Sequence, residues 1–260
     1  MKLLFVGDIV GRPGRYALTH ALGRLVDRHC VDLVIANGEN AAAGFGLTAE
    51  VAREIFEAGV DVVTSGNHVW DKKEVFGLFE KEPRLLRPAN YPPGLPGKGG
   101  GVFETAGGVK VGVINLEGRA FMNNLDCPFR AADALIGELS SQTRIIFVDF
   151  HAETTSEKIS LGHYLDGRIT AMVGTHTHVQ TADERILPGG TAYLTDVGMT
   201  GSRDSVIGIR KEEAIERFLT QLPIRFEVAK KDPWLCAALV TIDEASGKAQ
   251  AIERIQVAVD

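Results

Sequence analysis

Apolar residues recur along the chain in two rhythms. Short, nearly unbroken runs at 3–6, 33–36, 60–63 and 144–150 have the length and composition of strands buried on both faces. Between the first three lie stretches with helical spacing. Tyr16, Leu18, Leu22, Leu25 and Val26 fall on one face over 15–28, and Val51, Ile55 and Phe56 follow Thr48. The Thr48 hydroxyl can accept an early backbone N–H and start that second helix, and Gly59 stops it. Asp71 is expected to open a further helix through Val75, Phe76 and Phe79. Such alternation predicts a largely parallel sheet with helices on its faces.

The segment 87–101 is rich in Pro and Gly and reads as a long connection, because strand patterns resume on both sides. Runs at 102–104 and 109–114 flank Gly107-Gly108, a hairpin signal. A loop over 116–128 and a helix precede the strand at 144–150. Further strands are expected at 169–173, 191–195, 224–228, 235–242 and 249–257, the last two antiparallel across a turn at 244–247. No internal repeat or low-complexity segment divides the chain, so residues 1–260 read as one domain.

Composition narrows the class. With 45% hydrophobic and 24% charged residues, disorder, collagen and coiled coil are excluded. Charges interrupt every apolar run well short of the roughly 20 residues a membrane span needs, and the opening run meets Asp8 too soon for a signal peptide. Cys30, Cys127 and Cys236 are too few and too scattered for a disulfide framework, which points to a reducing, cytoplasmic setting. A net charge of −6 without a long Lys/Arg block argues against tight nucleic-acid binding. It leaves room for a small phosphate ester, because a bound cation reverses the local field.

The chemistry-bearing residues share one address, the turn after a predicted strand. These are Gly7-Asp8, Gly38-Glu39-Asn40, Gly66-Asn67-His68, His151 and Gly174-Thr175-His176-Thr177-His178. In open α/β sheets, ligands bind in the crevice beyond the carboxyl ends of the strands, so these turns can converge. Asp8 and Glu39 offer carboxylate oxygens, Asn40 and Asn67 amide oxygens, and His151, His176 and His178 imidazole nitrogens. That mixed set suits manganese, iron or zinc better than magnesium or calcium. Seven ligands exceed one tetrahedral ion and suit two ions about 3.5–4 Å apart sharing a carboxylate. His176 and His178 would share a face on an extended strand end but splay on a turn, which is the arrangement expected here.

Other readings fare worse. The stretch from Gly7 to Gly14 is G-x-x-x-G-x-x-G, not the dinucleotide fingerprint, and Asp8 would face the pyrophosphate. There is no Gly-x-Ser-x-Gly elbow for acyl transfer. His20, His29 and His163 fall in or beside helical patterns and read as ordinary histidines. Arg12, Arg119, Lys158 and Arg168 could approach a phosphate, although each also fits a solvated surface charge. Phe45, between two glycines, could stack on a base or plug the crevice.

The order of these motifs resembles the calcineurin-like metallophosphoesterases, with two departures: Val10 stands where that pattern has a His, and Gly-Glu-Asn at 38–40 replaces its second Gly-Asp. Both departures resemble a bacterial subgroup, the YmdB-like 2′,3′-cyclic-nucleotide phosphodiesterases. The likeness extends through Gly-Asn-His-Val-Trp-Asp-Lys-Lys at 66–73, Arg-Pro-Ala-Asn at 87–90, Asp-Phe-His-Ala-Glu-Thr-Thr-Ser-Glu-Lys at 149–158 and Thr-Asp-Val-Gly-Met-Thr-Gly at 195–201.

The resemblance implies a four-layer α/β/β/α sandwich, with mixed sheets flanked by helices. It implies two metal ions, iron with manganese as the alternative. Asp8, Glu39, Asn40 and His178 would hold one ion; Glu39, Asn67, His151 and His176 would hold the other, with Glu39 shared. His68 would be the proton donor. The implied reaction opens a cyclic nucleotide, 2′,3′-cAMP above all, by in-line attack of a hydroxide bridging the ions. Two alternatives remain open: an RNA-directed phosphodiesterase or nuclease, and a nucleotide-sensing regulatory protein with little turnover. A homo-oligomer, most simply an isologous dimer, is the expected assembly.

Overall fold

A computed structural model of the chain describes residues 1–259. Its first part contains β1 (Lys2–Val6), β2 (Asp8–Ile9), α1 (Gly11–His29), β3 (Leu33–Asn37), α2 (Ala49–Glu57), β4 (Val62–Thr64) and α3 (Val75–Phe79). The middle contains β5 (Gly100–Glu104), β6 (Lys110–Glu117), α4 (Pro128–Leu139), β7 (Ile146–His151), α5 (Thr155–Leu165) and β8 (Ala171–Thr175). Then come β9 (Arg185–Ile186), β10 (Ala192–Leu194), β11 (Met199–Ser202), α6 (Lys211–Thr220), β12 (Pro233–Ile242) and β13 (Ala249–Ala258).

The strands form two mixed sheets rather than one largely parallel sheet. In the first, β1, β3 and β4 run parallel, and β12 pairs antiparallel with β1, β11 and β13. In the second, β6, β7, β8 and β10 run parallel, with β5 and β9 antiparallel at its two edges.

Period-two alternation explains how the sheets meet. Leu3 and Phe5 of β1, with Leu33 and Ile35 of β3, pack against Val111, Val113, Phe147 and Val173 of the second sheet. Their neighbours Leu4, Val6, Val34 and Ala36 point the other way, onto Leu18, Leu22 and Ile55 of α1 and α2. On the far side, Ile114, Val148 and Phe150 meet Ile136 of α4 and Leu161 of α5. Every strand of the centre is therefore apolar on both faces. Each fully buried Leu, Ile, Val or Phe stabilises the fold by roughly 1.5–3 kcal/mol.

Local signals match the structure in several places. Thr48 accepts the Val51 N–H at 3.3 Å, and Gly59 leaves the helix at φ 106°. Two expectations fail. Asp71 caps no helix; α3 starts later, and the Asp71 carboxylate is engaged by His68 instead. The expected strand at 224–228 is an irregular surface segment that joins no sheet: its one isolated bridge sets Val228 opposite Ile209, with the Arg210 N–H donating to the Glu227 carbonyl. Among the described residues no helix is long and apolar enough to cross a membrane.

Candidate metal centre

The carboxyl ends of both sheets meet at one point. From the first sheet come Asp8 after β1, Glu39 and Asn40 after β3, and Asn67 and His68 after β4. The second contributes His151, the last residue of β7, and the turn after β8 that carries His176 and His178. Parallel register places Thr175 of β8 beside His151 and keeps the two strand ends level.

His151 Nε2 is the geometric centre of the cluster. Within 3.1 Å of it lie Asn67 Oδ1 (3.0 Å), His176 Nδ1 (3.0 Å) and Glu39 Oε1 (3.1 Å). One imidazole proton cannot serve three such partners, whereas a cation between the four atoms could accept a lone pair from each. Glu39, His151 and His176 form the one group of acidic, Cys or His side chains among the described residues with metal-like spacing. Backbone must come close for this to happen: a Cβ on Gly66 would stand 2.3 Å from His151 Nε2 and 2.4 Å from Glu39 Oε2.

Beside this group two buried oxygens have no hydrogen-bond partner, Asp8 Oδ1 and Asn40 Oδ1. A buried acceptor left unpaired costs about 1–3 kcal/mol, so these two oxygens suit ligation of a cation. Asn40 is held by its own Nδ2, which donates to the Gly44 carbonyl at 3.0 Å. Asp8 Oδ2 accepts the His176 N–H at 3.2 Å. His178 Nδ1 donates to the Ile207 carbonyl at 2.8 Å, which leaves Nε2 as its open nitrogen. The residues present thus fit a metal centre.

Burial and charge act against each other in this cluster. Burial pushes the Asp8 carboxyl above its ordinary value, against the pull of His178 and His151. Burial also works to raise Glu39, but the facing His151 outweighs it and holds Glu39 at about 2. Desolvation should depress His151, yet the Glu39 and Asp8 carboxylates lift it to about 9. Burial beside His151 drives His176 down to about 3, so that ring is neutral and keeps its lone pair.

His176 and His178 lie on the turn after β8, with His176 Nδ1 beside His151 and His178 Nδ1 on the Ile207 carbonyl. Both adopt left-handed backbone, φ 95° and 64°, which non-glycine residues rarely enter and which the surroundings must enforce. The enforcing group is Asp196. Its Oδ2 accepts from both the N–H (3.2 Å) and the hydroxyl (2.6 Å) of Thr177, between the two histidines. Lys158 Nζ, fully buried, reaches the same oxygen at 2.7 Å.

Lys158 is therefore neither a phosphate ligand nor a surface charge. Replacing it by Met strands a buried carboxylate and is expected to cost about 3–5 kcal/mol of stability. Urea unfolding measures this, and a loss under about 1 kcal/mol would show that Asp196 needs no cation.

A second polar network underlies His151. Its Nδ1 lies 2.9 Å from the Thr175 hydroxyl, which donates to Asp149 at 2.8 Å; Thr64 and Asn37 also donate to Asp149, at 2.6 and 3.1 Å. Burial raises Asp149 to about 7 despite these donors. This chain fixes the ring orientation of His151, as partners of metal-binding histidines commonly do. The sequence motifs contain Asp149, Thr175 and Asp196, but sequence reasoning assigned these three residues no role of their own. Two signals were present: a carboxylate inside an otherwise apolar strand, and another immediately after one. It also placed Glu117 in a loop, whereas Glu117 ends β6 opposite His151, fully buried and pushed up to about 7 by burial.

The cluster opens into a cleft of about 270 Å³ whose wall includes Glu39, Asn40, His68, His176 and His178. His68 Nδ1 lies 2.9 Å from Asp71 Oδ2, its N–H donates to Glu39 Oε2 at 3.1 Å, and the Phe45 ring stands edge-on to it at 5.0 Å. Arg168 pairs with Asp133 and Arg119 lies by Glu157, both away from this cleft.

Known proteins share this sequence and shape. A protein named 2′,3′-cyclic-nucleotide 2′-phosphodiesterase from Bacillus subtilis (strain 168) is 51% identical over 257 residues, 99% of this chain and 97% of that one. A putative phosphatase/phosphodiesterase from Mycoplasma pneumoniae is 37% identical, covering 100% of this chain and 94% of that one. Among solved structures, a hypothetical protein from Thermus thermophilus superposes with a TM-score of 0.93 at 47% identity, covering 99% of each chain. A novel phosphatase from Mycoplasma pneumoniae also gives 0.93, at 37% identity, over 99% of this chain and 93% of that one. The family described as YmdB-like protein matches residues 4–255, and with such relatives beside it this chain belongs to that family.

Proposed function

We propose that this protein is a two-metal phosphodiesterase that opens 2′,3′-cyclic nucleotides, 2′,3′-cAMP among them. The observation that carries the reading is the crowding of Glu39, Asn67 and His176 donors around His151 Nε2, beside the orphaned oxygens of Asp8 and Asn40. Support comes from the relative whose name states that activity. We read the two sheets between helices as the four-layer α/β/β/α sandwich, and the three free cysteines as the mark of a cytoplasmic protein.

Asp8, Glu39, Asn40 and His178 would hold one ion, and Glu39, Asn67, His151 and His176 the other. Iron is the first choice and manganese the second, since imidazole and carboxylate ligands suit both. When bound, two such ions ease the deprotonation of water near neutral pH and draw charge off the phosphoryl oxygens.

The chain's own part is placement and proton transfer. Asp71 engages His68 Nδ1, which leaves Nε2 to carry a proton at the cleft wall. As water oxygen bonds to phosphorus and the bond from phosphorus to O2′ breaks, His68 Nε2 delivers that proton to O2′, leaving a 3′-phosphate. Phe45 and Phe226, in the same wall, offer apolar faces to the base.

Iron- or manganese-loaded protein should turn over 2′,3′-cAMP faster than 3′,5′-cAMP, a phosphomonoester or the internal bonds of a short RNA. Faster cutting of internal RNA bonds would make the polymer the substrate. Tight binding of 2′,3′-cAMP without product would make the protein a sensor.

A further inference from the structure

A second cavity, about 660 Å³, adjoins the metal-lined cleft and shares Phe226, Glu227 and Val228 with it as a common wall. Arg12, Arg225 and Lys230 line this groove, with Tyr16. None of these three cations pairs with a carboxylate among the described residues. Arg15, Arg84, Arg168 and Arg254, by contrast, each sit within 2.6–2.7 Å of an acid. The one acid among the described residues of the groove, Glu227, is drawn towards Arg210, 3.5 Å away. Among the described residues of this groove three cations thus face one acid, in a protein whose net charge is −6, and a positive groove concentrates anions.

A cyclic mononucleotide gives this groove nothing to neutralise. It carries one phosphate, which the metal ligands claim, and its base suits the apolar wall of the cleft. The remaining arm of the ribose is its 5′ carbon. We propose that the groove of Arg12, Arg225 and Lys230 binds a phosphate on the 5′ oxygen of the substrate, so that the preferred substrate is a cyclic phosphate carrying a second phosphate. Such a group occurs at the 3′ end of cleaved RNA, where the 5′ phosphate links to the preceding nucleotide, and in a free 5′-phosphorylated cyclic nucleotide. This inference rests on the phosphodiesterase reading and refines its substrate class. Reactions that leave 2′,3′-cyclic ends on RNA fragments would supply it.

The test compares kcat/KM on three substrates: 2′,3′-cAMP, the same nucleotide bearing a 5′-phosphate, and a diadenylate ending in a 2′,3′-cyclic phosphate. Both phosphate-bearing substrates should be preferred by about tenfold at low salt, as two or three partly exposed charge pairs would give. The margin should shrink as salt rises. Arg225 and Lys230 are exposed, so R225E/K230E should fold normally and bring the three substrates near parity. A diadenylate that outruns the 5′-phosphorylated mononucleotide assigns the groove to RNA ends; parity between those two assigns it to free nucleotides. Equal kcat/KM on all three in the wild type, or a preference that survives R225E/K230E, overturns the inference.

Calorimetry with adenosine 3′,5′-bisphosphate and adenosine 3′-monophosphate needs no turnover and separates the two failures. Should no substrate be hydrolysed while the bisphosphate still binds about tenfold tighter and the double variant loses that margin, the groove stands and the phosphodiesterase reading falls. Turnover of 2′,3′-cAMP without any such margin does the reverse.

Discussion

Glu39→Gln is expected to abolish turnover and to lower the affinity for both metal ions. The side chain is 1% exposed and sits where both ligand groups meet, with Oε1 3.1 Å from His151 Nε2 and Oε2 taking the His68 N–H at 3.1 Å. Gln preserves the volume and one acceptor. It removes the negative charge that would hold the two proposed cations in a desolvated pocket and turns an acceptor into a donor facing His151. Loss of a mere supporting partner of a metal ligand costs 10–100-fold in affinity or activity, so losing a shared anionic ligand should exceed about 10³-fold in kcat. Metal content by elemental analysis and turnover of 2′,3′-cAMP, measured on protein with unchanged circular dichroism, decide the matter. A variant that still holds two ions per chain would show that Glu39 is not shared.

His68→Ala should behave differently. Its ring contributes no atom to the cluster around His151, and the contact it makes to Glu39 comes from the backbone N–H, which Ala keeps. Metal content is therefore expected to stay at the wild-type level while kcat falls by about 10²–10⁴, the usual worth of a positioned acid. The loss should be largest for poor leaving groups such as a ribose hydroxyl and small for a nitrophenyl ester, whose leaving oxygen needs no proton. Should the variant lose its metals as well, His68 is a ligand and the assignment of the proton donor fails.

Much of the scaffold was legible because strands buried on both faces leave a local trace. The runs at 3–6, 33–36 and 144–150 correspond to β1, β3 and β7, and the C-terminal pair is antiparallel as expected. β2, β9 and β11, with two to four residues each, are too short to show a period and exist only because a neighbouring strand supplies hydrogen bonds. The segment 224–228 failed for the converse reason: its alternation is present, but it joins no sheet.

What the sequence determined by itself about this protein is which residue types stand at the strand ends. An Asp, a Glu, two Asn and four His after apolar runs are a local fact, and parallel strands necessarily bring such ends to one side. Which of them share one point, and what secures them, was decided in three dimensions. The partner of Lys158 lies 38 residues away and those of Asp149 lie 26, 85 and 112 away, and Asp196 grips Thr177 between the left-handed His176 and His178. Periodicity is a property of neighbours along the chain. The satisfaction of a buried charge depends on neighbours in space, which the folded sheets alone bring together.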